Sequence, residues 1–498
     1  GGDAAASGSG EVGKTDITFA MGADIVTLDP AGQQDTTTSV IIKHVYSTLL
    51  DISDEGELVP DLAESYELVN DTDFVFKLRE DAVWSDGTPV TANDVKFTFD
   101  RAKNMPKTKS NTSKVKEVVV DNEHQVTIKL TEPYAPFKSI VANSNLSIVQ
   151  EAAVTAAGEA YGDADNAVGS GPFTVKEWVP NDHYTLEKNA NYWGEEPIPT
   201  SITCRVIPEG SARAIALETG EVDLVWNVDP TDCSNIEANS DVKLLSQPSS
   251  SIEYLGMNVT KEHFKDQKVR QAINYAINKE AYVAVVKNGN SEPGTSVIAP
   301  KLQYYKGNDP YPYDIEKAKS LLAEAGYPDG FKTTLIFANT SANMKQGEFL
   351  KQQLAEVGID VELISLESAI VNEKVQDTDA PGAEAEVDMY IIGWSSSTGD
   401  ADWGIRPLLA KESEPPMSYN ICYFENEELD GYLKDGLNTA DRDKRAEAYA
   451  KAQDLIWEES PLVCLATDFN SWATSNKMVN VKMFPDNCLN IRNGKMTK

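Results

Sequence analysis

Between Tyr390 and Pro407 the chain reads YIIGWSSSTGDADWGIRP. Trp394 and Trp403 offer flat apolar faces, Ser395, Ser396, Ser397 and Thr398 offer neutral donors and acceptors, and Asp400, Asp402 and Arg406 add charge. A core does not take a run of hydroxyls unless each finds a partner, and an ordinary turn has no use for two indoles. Aromatic area with a few placed polar groups is the composition of a small-molecule site. Two readings stay open: the indoles stack on a solute, or they are core residues flanking a capped turn. The planar fork of Arg406 suits a carboxylate, either a ligand's or that of Asp400 or Asp402.

Other motifs carry less chemistry. GSGEVGKT, Gly8 to Thr15, fits the phosphate-loop spacing, but that mechanism needs a strand before it and a helix after it. Here a small, polar, aperiodic start precedes it and the strand-like DITFAMGA follows. A phosphate-loop NTPase is therefore the alternative from another functional class. His44, His124, His183 and His263 lack metal-ligand spacing, and GSGPF at 169–173 is not a nucleophile elbow. Nothing singles out a catalytic pair among the carboxylates, so the chain reads as no enzyme, with no cofactor and no metal. Cys204, Cys233, Cys422, Cys464 and Cys488 form no C-x-x-C pair; they read as buried thiols, with a Cys204–Cys233 bridge left open.

The chain has 498 residues, with 79 acids against 44 Lys plus Arg. A formal charge of −35 repels nucleic acid and anionic lipid. No apolar run reaches the ~18 residues of a membrane helix. Residues 1–13 read as a flexible tether, of the kind that follows a lipid-carrying Cys ahead of residue 1, although an artificial leader would have the same composition.

The elements that must position the indole loop follow from periodicity. DITFAM and FVFKLR alternate as strands, and VKEVVVDNEHQVTIKL reads as a hairpin. Thr91 with Asp94 predicts a capped helix start. The second half alternates helix and strand: KVRQAINYAIN and DIEKAKSLLAEAG as helices, KTTLIF as a strand, NMKQGEFLKQQLAEVG as a helix, DVELISL and EVDMYIIGW as strands. KRAEAYAKAQDLIWEESP follows as a helix and PLVCLAT as a strand. Such alternation predicts parallel sheet. The indole loop then lies at the carboxyl end of a buried strand, where open α/β sheets bind ligands.

Many segments together resemble one family, the extracytoplasmic solute-binding proteins of ABC importers for peptides, nickel and related solutes. They include TLDP (27–30), VYSTLLD (45–51), LVPDLAESYEL (58–68), FKLREDAVWSDGTPVTANDVKFTFDRA (76–102) and VGSGPFTVKEW (168–178). LEKNANYWGEEP (186–197), ALETGEVDL (216–224), YLGMNV (254–259), VRQAINYAINKEA (269–281), EKAKSLLAEAGYPDGF (316–331), LKQQLAEVGIDVEL (350–363) and IIGW (391–394) complete the set. GWSSSTGDADWGIRPLLA and AYAKAQDLIWEESPLV are most similar to the glutathione-receptor branch.

The resemblance implies an α/β, two-lobe fold of the type II periplasmic-binding class with an extra α+β domain. It implies a tether at 1–13, lobe one from 14–48, 169–258 and 477–498, the extra domain at 49–168, and lobe two at 259–476. The ligand would lie between the lobes, and closure would bury it. Trp394, Ser395, Ser396, Ser397, Trp403 and Arg406 would face it from lobe two. Met21, Asp24, Asp35, Trp226 and Tyr254 would serve in lobe one or simply pack. The family's peptide receptors carry an Asp three residues after this Trp to pair the peptide's α-amino group; this chain has Ser397. The expected solute is thus glutathione or a related γ-glutamyl or short peptide, with an oligopeptide or a nickel chelate as alternatives. The implied partners are a permease and an ATPase, and the implied state is a monomer outside the cytoplasm.

Overall fold

The computed structural model describes residues 10–53, 56–484 and 486–498. The chain divides into one unit running to Gln247 and resuming at Asn470–Lys498, and a second, Pro248–Phe469. It passes between them inside two long strands, Val242–Met257 and Leu462–Ser475.

In the first unit Asp16–Met21 pairs in parallel with Ser201–Val206 on one side and Leu224–Trp226 on the other. The sheet continues antiparallel through His183–Lys188 to Phe173–Val179, and past Leu224–Trp226 to the end of Leu462–Ser475. Helix Thr36–Val45 starts at Asp35, whose carboxylate accepts from Thr38 N at 2.8 Å. A separate four-stranded antiparallel sheet holds Ala63–Val69, Asp73–Leu78, Gln125–Leu130 and Val115–Asn122 in that order. It has its own core of Phe74, Phe76, Trp84, Phe99 and Phe137. Helix Ala92–Ala102 packs on it, and the capping box of Thr91 and Asp94 is formed.

In the second unit the sheet runs Ile359–Leu366, Phe331–Ala338, Met389–Ser395, then residues 251–257. Phe331–Ala338 is parallel to both its neighbours, as βαβ alternation predicts, but Met389–Ser395 meets 251–257 antiparallel. The expectation of a parallel sheet is corrected to a mixed one. Its physical reason is that the 251–257 segment enters from the other unit and not through a helical crossover. Leu255, Met257 and Met389 pack under helices Gln267–Ala276 and Ser341–Ala355. Ile252, Tyr254 and Tyr390 share a second core with helices Ala401–Leu409, Glu427–Leu437 and Arg442–Glu459.

Thr15 runs directly into strand Asp16–Met21, so the phosphate-loop pattern lacks the helix whose N-terminus would hold phosphate. Its Lys14 pairs with Asp223 at 2.8 Å, while Gly8 and Ser9 lie outside the described residues. The expected tether falls outside them up to residue 9; beyond that, Val12 bridges Thr497 and Gly13 N donates to Met496 O at 2.6 Å. All five cysteines are buried free thiols, so the Cys204–Cys233 bridge is not formed.

Candidate functional site

Strand Met389–Ser395 ends in a tight turn, and helix Ala401–Leu409 begins at once. Gly399 takes φ +71°, a conformation that side chains strain to adopt. Asp400 caps the helix, its Oδ1 accepting from Asp402 N at 2.9 Å. Two of the hydroxyls serve the turn: Ser396 Oγ donates to Asp400 O at 2.8 Å, and Thr398 Oγ1 accepts from Asp400 N at 3.2 Å. Both are buried, whereas Ser395 and Ser397 are exposed. Ser395 Oγ lies 2.9 Å from Ser250 Oγ, and Ser397 makes no side-chain hydrogen bond to a described residue.

The indoles meet. Trp394 Nε1 donates to the carbonyl of Trp403 at 2.7 Å, and the ring centroids are 6.3 Å apart. Trp403 belongs to the first turn of the helix and not to the loop, and it is 37 % exposed. Tyr419, unremarkable in the sequence, completes the cluster with its ring 5.4 Å from that of Trp394. With its N–H committed, Trp394 offers ring surface only.

The charged groups of the same stretch are taken. Arg406 Nε donates to Asp402 Oδ1 at 2.9 Å, Nη1 to Glu412 at 2.5 Å, and Nη2 to Leu433 O at 3.1 Å. Burial pushes the Asp402 carboxyl up, opposed by Arg406. Asp400 is held by Arg445, Nη1 to Oδ2 at 2.7 Å and Nη2 to Oδ1 at 3.0 Å. A solute meeting this face finds aromatic rings and hydroxyls, and no uncommitted carboxylate among Asp400 and Asp402.

Tyr254 sits 1 % exposed in the second unit's core, its hydroxyl donating to Val297 O. The neighbouring Glu253 faces the other way. It accepts from Tyr282 at 2.7 Å and from Gln346, and it shares Lys287 with Asp468, which lies 3.1 Å from Nζ. Burial and the nearby Glu253 push the Asp468 carboxyl up to about 7.

In the first unit the register sets Met21 level with Trp226 at the carboxyl ends of adjacent parallel strands. Both side chains are buried, and Trp226 Nε1 donates to Asn487 O at 2.9 Å. Asn227 and Asn487 hold left-handed backbone and bond each other at 2.8 Å, a strained pair that sequence reading missed. Asp24 accepts from Asn181 N at 2.7 Å and from Trp178 Nε1 at 3.2 Å, which ties it to a hairpin. Asp35 is a helix cap, as above.

Comparison with known proteins gives the family. Residues 57–415 match the model of the bacterial extracellular solute-binding proteins, family 5, and the chain belongs to that family, whose members are receptors and not enzymes. It is 34 % identical over 478 residues to the glutathione-binding protein GsiB of Escherichia coli K12, covering 95 % of this chain and 92 % of that one. The structure of HbpA2 from Haemophilus parasuis aligns with a TM-score of 0.89 at 24 % identity, over 97 % of this chain and all of the other. The periplasmic binding protein DppA of Helicobacter pylori, solved with the peptide STSA, aligns with a TM-score of 0.75 at 26 % identity, over 98 % and 99 %. The fold is thus the mixed α/β fold of these periplasmic binding proteins, with an additional small antiparallel sheet.

Proposed function

We propose that the chain is the solute receptor of an ABC importer and that its solute is glutathione or a related short γ-glutamyl peptide. One observation carries the reading: neither acid beside the Trp394–Trp403 pair is free, since Arg445 holds Asp400 and Arg406 holds Asp402. A buried ammonium without a carboxylate typically costs ~2–5 kcal/mol. An ordinary peptide presenting its lone α-ammonium to this face would bear that cost, because Ser397 stands where the resemblance places an Asp; glutathione carries its ammonium beside a carboxylate of its own on the γ-glutamyl α-carbon. The fork of Arg406 is also full, so solute carboxylates are assigned to hydroxyl and backbone donors, Ser395 and Ser397 among them. The full-length likeness to a glutathione receptor supports the choice of solute, and the likeness to an ABC transporter-associated protein supports a permease and ATPase as partners.

In the same proposal Asp24, Asp35 and Trp226 are further solute contacts and binding closes the receptor, while Met21 and Tyr254, both buried, take the packing alternative. A saturating solute then lowers the radius of gyration in X-ray scattering; unchanged scattering counts against closure. A calorimetric panel of glutathione, dipeptides and tripeptides tests the solute. Glutathione binding more tightly than unmodified tripeptides is the expected result. Submicromolar tripeptide binding with no glutathione binding would overturn it.

A further inference from the structure

Arg445, on helix Arg442–Glu459, is fully buried, and so is its partner Asp400. Every part of the guanidinium has a role: Nη1 and Nη2 take the two oxygens of Asp400, Nε donates to Gly436 O at 2.7 Å, and its faces meet the rings of Tyr304 and Tyr449 at 4.9 and 5.3 Å. Asp400 in turn caps helix Ala401–Leu409, and its carbonyl accepts from Ser396 Oγ. The adjacent Gly399 O accepts from Gln303 N at 2.9 Å. The next residues are the first turn of that helix, where the Trp403 carbonyl receives the Trp394 indole N–H.

A buried ion pair is weak evidence of stability, because apolar residues of the same volume often replace one at no loss. Here the carboxylate of the pair is the cap of one turn, and that turn carries the carbonyl that holds the Trp394 indole. We infer that Arg445 is a positioning residue for solute recognition, acting through Asp400 to fix the first turn of the 401–409 helix and with it the Trp394–Trp403 pair. The step from indole pair to solute rests on the function proposed above; the step from Arg445 to the indole pair does not.

The test removes the tie and keeps the cap, using Arg445→Met together with Asp400→Asn, since Asn also caps helices. In nitrogen–proton correlation spectra the Trp394 indole signal, assigned by its loss in Trp394→Phe, is expected to shift and its solvent exchange to quicken at least about tenfold. Backbone amides of strand Phe331–Ala338 should keep their protection. An unchanged indole signal overturns the inference. If the paired variant does not fold, Arg445→Lys, which retains charge and loses the fork, is read the same way. In a second arm, whichever of glutathione and the tripeptides binds the unaltered protein should bind the variant at least about fivefold more weakly. Equal affinity beside a shifted indole overturns the recognition half. If nothing in the panel binds the unaltered protein, the proposed solute falls, and the indole signal alone decides whether Arg445 positions the pair.

Discussion

Two ionic clusters of the second unit resolve the same problem differently. At the turn after strand Met389–Ser395, one guanidinium meets one carboxylate, bidentate and fully buried. Near the strands that run on to the first unit, one ammonium serves two carboxylates, Glu253 and Asp468, and the Asp468 side chain is 32 % exposed. A planar fork matched to a carboxylate leaves no charge over. A lysine shared between two ionised acids leaves one negative charge over, and burial together with the nearby Glu253 lets Asp468 hold its proton up to about 7. The first cluster is closed by geometry, and the second changes its charge within the physiological range.

Breaking the closed pair should have the largest effect. Arg445→Ala strands Asp400 in the core, and loss of one partner of a buried pair typically costs ~3–5 kcal/mol. Denaturant melts should show that loss, while the paired substitution described above stays within about 1–2 kcal/mol of the parent. Equal losses in the two variants would mean that the pair has no special linkage.

Making the closed cluster resemble the open one comes next. Ser397→Asp adds an acid to a face whose two guanidiniums are already engaged. That carboxylate is free for a solute's ammonium, so binding of unmodified tripeptides should improve by about 2 kcal/mol, roughly thirtyfold. A panel on which the tripeptide-to-glutathione ratio does not move would argue that the solute's ammonium lies elsewhere.

The smallest effect probes the open cluster. The Asp468 carboxyl is raised in the folded state above its ordinary value of 3.8, so the folded protein holds this proton more tightly than the unfolded chain. Its contribution is therefore lost as pH rises from about 4 through about 7, and the penalty is full above that. Asp468→Asn removes the surplus charge and should stabilise on the order of 1 kcal/mol at pH 8, after allowance for its exposure, and by roughly a third of that at pH 5. The same difference at both pH values would show that the cluster does not titrate as described.

The parts of this architecture that were legible in sequence are those with local causes. The Thr91–Asp94 capping box, the 115–130 hairpin and the strand leading into Trp394 follow from patterns spanning a few residues. The family resemblance carried the fold class. What was not legible depends on partners far apart in sequence. Asp400 and Arg445 are separated by 45 positions and Glu253 and Asp468 by 215, distances at which no periodicity speaks. The stretch SSSTGDADW reads as one polar loop, yet Asp400 caps a helix and draws Asp402 and Trp403 into it. Arg406 shows the ambiguity most clearly: its type suits a solute carboxylate, and only the fold brings Asp402, Glu412 and the Leu433 carbonyl to it.

In the proposed function the Trp394–Trp403 face receives the solute. Calorimetric titration of glutathione into the parent protein and into Trp394→Ala, with melting temperature as a control for folding, tests it most directly. An aromatic anchor is typically worth ~2 kcal/mol or more at a binding hot spot, so affinity should fall at least about tenfold while the fold survives. Affinity within about twofold of the parent, in a variant that melts as the parent does, would make these indoles core residues and contradict the account.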